Sequence, residues 1–141
     1  MLDALRMSLN ATAVFGFIVY IVVAVLLFAL FQFVYTRITP HREFQLIREG
    51  NTAAAVALGG SLIGFALPAS NIITYSINVV DVVVWVLIAA VVQLLAFCGT
   101  SLVLKGLSAR IARGELAAAI YSASVAVSVG FLNSACMTPS A

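Results

Sequence analysis

Four stretches of this chain, about residues 12–36, 52–72, 80–104 and 115–137, are apolar almost throughout, and each is long enough to cross a bilayer. The hydrocarbon core needs about 20 residues of helix. Backbone N–H and C=O groups cannot stay unpaired in hydrocarbon, and the stretches lack the alternation of a barrel strand, so they read as helices. Composition agrees: 64% of the 141 residues are hydrophobic and 9% charged, with a mean hydropathy of +1.19. Ordinary soluble domains carry about 25% charged residues. The first stretch is not expected to be a cleaved leader, because its apolar run over 11–35 exceeds an h-region of about 7–15 residues and no small-x-small site closes it. The expectation is one all-α integral-membrane domain over 1–141, with the lipid bilayer as its principal partner.

Charge sets the expected orientation. Six of the seven Lys and Arg lie in two loops, Arg37, Arg42 and Arg48 after the first span and Lys105, Arg110 and Arg113 after the third. Only Arg6 lies on the other side, and the loop over 71–79 has no basic residue. Short loops rich in Lys and Arg stay in the cytoplasm, so both termini and the 71–79 loop are expected on the outer face of the membrane. The net charge of +2 is then a topology signal and gives no reason to expect nucleic-acid binding. Cys98 and Cys136 differ in expected depth by far more than the about 7 Å a disulfide tolerates, and both read as small hydrophobes.

The chain also repeats itself. Glu49-Gly50-Asn51-Thr52-Ala53-Ala54-Ala55-Val56 aligns with Arg113-Gly114-Glu115-Leu116-Ala117-Ala118-Ala119-Ile120 at an offset of 64 residues. The order of span, basic loop, Gly, triple Ala and span is the same in both copies. Two tandem hairpins are expected, about 12–76 and 77–141. An even number of spans per copy makes them parallel, related by an axis along the membrane normal. Gly60 and Gly64, Ser124 and Ser128, and Gly130 with Ser122, Ala126 and Ser134 supply small residues for close packing of the second helix of each copy. Thr39-Pro40 is expected to cap and start a short interfacial helix over 40–49 with Phe44 and Ile47 on one face. Ser108 would cap a shorter counterpart, and Pro68 would kink or end the second span.

Few residues carry chemistry. Asp81 is the only carboxylate at the outer end of a span, and Asn78-x-x-Asp81 also reads as a helix start. Gln93 is expected about 18 Å below it, near the midplane, where an amide needs an interhelical partner or a solute path. Gln32 and Asn133 invite the same two readings, and Asp81, Gln93 and Asn133 together form a candidate solute path. In the first copy their counterparts are Phe17, Ala29 and Ala69, so any solute chemistry is sought in the second. His41, the only histidine, has no partners for a metal site. No nucleophile elbow, P-loop or HExxH appears, so neither an enzyme nor a cofactor is expected.

Ile38-Thr39-Pro40-His41, Glu43, Gln45-Leu46-Ile47 and Asn51-Thr52-Ala53-Ala54 resemble the YjfL-like family of small bacterial inner-membrane proteins, a domain of unknown function. The match continues through Gly60, Gly64, Pro68, Ser70, Asp81, Trp85, Gln93-Leu94-Leu95 and Phe97. It ends on Gly130, Asn133 and Ala135-Cys136-Met137-Thr138. The resemblance implies a four-span membrane protein without an established activity. It also associates some relatives with polyamine-metabolism genes, an analogy that suggests transport or anchoring. Two functions are therefore expected to compete: a homo-oligomeric channel or transporter subunit for small cations, motivated by Asp81 and Gln93, and a scaffold or anchor for a protein partner, motivated by the loop over 37–50.

Overall fold

The computed structural model describes residues 1–137, all of whose regular structure is helical. Four helices are long and apolar enough to cross a membrane: α2 (Ala11–Ile38), α4 (Thr52–Tyr75), α5 (Val79–Val103) and α7 (Leu116–Cys136). Three short helices complete the chain, α1 (Leu2–Ser8) before the first span, α3 (Glu43–Arg48) in the first basic loop and α6 (Leu107–Ala112) in the second. The expected spans are thus present, within a few residues at each end. Thr138, the last residue of the family-like motif, lies outside the described residues.

Local chemistry explains the boundaries. Asn10, Asn51 and Asn78 accept from the backbone N–H of Ala13, Ala54 and Asp81, capping the otherwise unpaired N-termini of α2, α4 and α5. Both α3 and α6 end in the same motif. Gly50 and Gly114 take φ of 85° and 81°, a left-handed conformation that glycine adopts without a Cβ clash. The N–H groups of Asn51 and Glu115 then reach back to the carbonyls of Leu46 and Arg110, the wrap-around bond of a Schellman cap. These bonds, and both boundaries of α3 and α6, are displaced by the same 64 residues.

Two local expectations are corrected and a third is narrowed. Thr39 ends α2 and does not start α3: its N–H bonds to the Tyr35 carbonyl and its ψ is 128°, the extended geometry that a following proline enforces. α3 begins only at Glu43. α6 starts after Gly106, whose φ is 72°, so Ser108 lies inside the first turn and does not cap it. Of the two outcomes expected at Pro68, a kink or an end, the end does not occur: α4 continues through it to Tyr75. The proline leaves the Gly64 carbonyl without its helical donor, and that carbonyl faces Gly130 of α7.

α4 is the centre of the bundle, packed along its length against α7. A Cβ on Gly60 would collide with Ala123, one on Gly64 with the Ala126 carbonyl, and one on Gly130 with the Gly64 backbone. Such contact between backbones is what associates helices in lipid, where apolar surface gains nothing by leaving the bilayer. Ser124 and Ser128, expected in this contact, lie on an exposed flank of α7, and Ser122, Ala126 and Gly130 form the buried one. The 100° step per residue puts positions 122, 126 and 130 on one side and 124 and 128 on another. At one end Asn71 ties α4 to α7 by donating to the Ser134 carbonyl, and at the other Asn51 ties α4 to α6 by donating to the carbonyls of Ile111 and Ala112. Near the C-terminal end of α2, Phe31 stacks on Phe65 (4.3 Å between centroids) and Tyr35 meets Phe97 edge-on.

Candidate functional site

The two ends of the bundle carry different chemistry. At the end where α4 meets α5, Asp81 opens into a cleft of about 260 Å³ lined by Ile72, Tyr75, Ser76, Trp85, Cys136 and Met137. Asn78 fixes the first turn of α5, accepting from the Asp81 N–H at 2.9 Å. Asp81 is one turn from Trp85, so both project from the same side of α5. Among the described residues Asp81 is the one charge in the lining, with the aromatic rings of Trp85 and Tyr75 beside it. A half-buried carboxylate beside Trp and Tyr attracts organic cations by charge pairing and cation–π contact, the latter about 0.5–2 kcal/mol.

Gln93 and Asn133 do not line this cleft. Gln93 is 2% exposed and donates from Nε2 to the Ala126 carbonyl at 2.9 Å, tying α5 to α7 beside Gly64. Among the described residues, its Oε1 and the Nδ2 of buried Asn133 have no hydrogen-bond partner. Gln32 is half-buried in α2. Among the residues of the basic loops, Arg37 stacks on Phe33, and Arg42, Arg48, Lys105 and Arg113 are exposed. Arg110 grips Glu115 through two bonds of 3.0 and 2.6 Å and holds its carboxyl below the usual carboxylate range.

The other end of the bundle holds a cluster that sequence reasoning missed. His41 and Glu43 face inward, with side chains 3% and 0% exposed, and His41 Nε2 lies 3.0 Å from Glu43 Oε1. The buried Tyr35 hydroxyl lies next to Ser61 of α4 and within electrostatic range of Glu43, without a hydrogen bond of proper geometry. His41 Nδ1 and Glu43 Oε2 are likewise buried and unpartnered. Burial pushes the Glu43 carboxyl above its usual range, while hydrogen bonding and attraction to His41 pull it part of the way back. α3 is accordingly turned relative to expectation: Glu43, Leu46 and Ile47 face the bundle and Phe44 is exposed. The i, i+3, i+4 spacing of Glu43, Leu46 and Ile47 is the sequence signal that marks this inward face.

The chain matches the family described as Domain of Unknown Function (DUF350) over residues 8–137. It belongs to the DUF350 family. Its relatives include the UPF0719 inner membrane protein YjfL of Escherichia coli K12 and that of Escherichia coli O157:H7, each 38% identical over 123 residues. These alignments cover 87% of this chain and 93% of each relative. No solved structure matches. As a DUF350 member, the chain has the four-helix membrane architecture its sequence implies and no activity attached to its family.

Proposed function

We propose that this DUF350 protein is a non-enzymatic inner-membrane subunit that recognises a small organic cation at its periplasmic face and conducts it as a homo-oligomer. The observation that carries the reading is the cleft in which Asp81 stands with Trp85 and Tyr75 and no basic residue. The contacts of Gly64 and Gly130 leave no passage between α4 and α7, so conduction requires an assembly. The coincident boundaries and caps of α3 and α6 support two parallel hairpin copies about an axis normal to the membrane. A partner-anchoring role through residues 37–50 fits less well, because the inward face of α3 is occupied by this chain's own α4.

Trp85 is the sole tryptophan, so its fluorescence reports on the cleft directly. In lipid nanodiscs, primary mono- and diamines are expected to change it saturably. Asp81→Asn should weaken that binding at least about tenfold, since a charge-assisted hydrogen bond contributes about 1.5–3 kcal/mol. A flat titration, together with no amine uptake into proteoliposomes, sinks the proposal. Orientation is tested separately. A periplasm-dependent reporter should be active when fused after residue 141 and silent when inserted near residue 110; the reverse pattern would invert the topology.

A further inference from the structure

The buried cluster at the basic-loop end has an unusual charge balance. Three arginines, Arg37, Arg42 and Arg48, flank Glu43 in sequence, yet all are exposed and none pairs with it. Among the described residues its one ion-pairing partner is His41. The elements packed around it add no compensating cation: α4 has no charged residue between Thr52 and Tyr75, and from α2 the titratable group nearby is Tyr35. α6 carries Arg110, which is committed to Glu115. A fully buried carboxylate with no lysine or arginine beside it is strongly disfavoured, and a proton taken up by the carboxyl relieves that cost. Three unpartnered atoms, Glu43 Oε2, His41 Nδ1 and the Tyr35 hydroxyl, are the groups among which such a proton is held.

We propose that Glu43, His41 and Tyr35 form a proton-binding site whose occupancy holds the segment 39–48 against the bundle. Loading forms one carboxyl O–H bond from a solvent proton and an electron pair of the carboxylate. In the loaded state Glu43 donates from Oε1 to His41 Nε2, and the cluster is uncharged. Unloading breaks that O–H bond and returns the proton to water. It leaves a bare negative charge between α3 and α4, which water can reach only if the segment lifts. The site therefore reads pH at the face carrying the basic loops, independently of the cation cleft at the other end.

The test uses the full chain in nanodiscs, with infrared difference spectra for carboxyl protonation and a nitroxide at position 45 for segment mobility (Gln45→Cys in a Cys98→Ser, Cys136→Ser background). A protonated-carboxyl band should persist at pH values where exposed carboxylates have ionised, then vanish as pH rises further. Nitroxide mobility should increase over the same range. Glu43→Gln, of equal size and permanently neutral, should abolish the band and hold the label immobile throughout. Glu49→Gln and Asp81→Asn should change neither. The proposal is overturned by absence of the band in the natural sequence, by its survival in Glu43→Gln, by its loss in either control, or by a band that titrates while mobility stays constant. Should Glu43→Gln fail to fold, the titration of the natural sequence and the two controls still decide the matter.

Discussion

Gly130→Ala is expected to cost at least about 3 kcal/mol of stability, although alanine is the better helix former by about 1 kcal/mol. The added methyl would meet the Gly64 carbonyl and Cα, and backbone on both sides leaves no flexible side chain to yield. Separating α4 from α7 also pulls Ala126 from Gln93, a bond of the kind that contributes about 0.6 kcal/mol in membranes. Gly99→Ala is the control, because nothing lies within 4 Å of the added carbon and its face of α5 is exposed. It should be neutral or slightly stabilising. Unfolding the purified protein by increasing SDS in mixed micelles measures both. Equal stability for the two variants would show that α4 and α7 are not in backbone contact.

His41→Ala is the second large expected effect, about 3 kcal/mol at neutral pH. It removes the partner of a carboxyl that is 0% exposed, and leaving such a group unsatisfied costs about 1–3 kcal/mol, with a further term for the cavity. His41→Gln, which restores a hydrogen-bonding group, should recover about half of the loss. The sign of the pH dependence follows from Glu43. Its folded-state pKa is raised, so its contribution is complete below the usual carboxylate range and is lost as pH rises through the raised value. Without His41 the two influences that lower that value disappear, so the deficit of His41→Ala should grow with pH. The same SDS titration at several pH values checks this, and a deficit that shrinks as pH rises would contradict it.

Much of the fold was legible because single residues determine it. The spans follow from hydrocarbon thickness, Asn78 declared the start of α5, and Gly50 and Gly114 marked turns that only a residue without Cβ makes readily. The small residues announced a close α4–α7 contact, but their serines were assigned to the wrong flank: both ladders in α7 have four-residue spacing, and only the partner helix selects between them. Pro68 left two outcomes open, a kink or an end: it removes one hydrogen bond, and α4 continues past it to Tyr75. The candidate site was half visible. Asp81 was identified on its own, whereas its aromatic neighbours come from α4 and α5 together. Glu43 was missed because charge normally predicts exposure, and its burial depends on Tyr35 and His41 folding over it.

The sequence by itself determined that the chain lies in a membrane, how many apolar spans it has, about where each span begins and which family it belongs to. Those properties follow from local hydrophobicity, caps and turn residues, each set by a few neighbouring side chains. The tertiary structure decided which helix faces meet, that the path between α4 and α7 is closed, and that a carboxyl in a basic loop is buried without an arginine. These depend on contacts between residues far apart in the chain. A short polar side chain in such a position has its environment, and hence its protonation and chemistry, set by the helices packed around it.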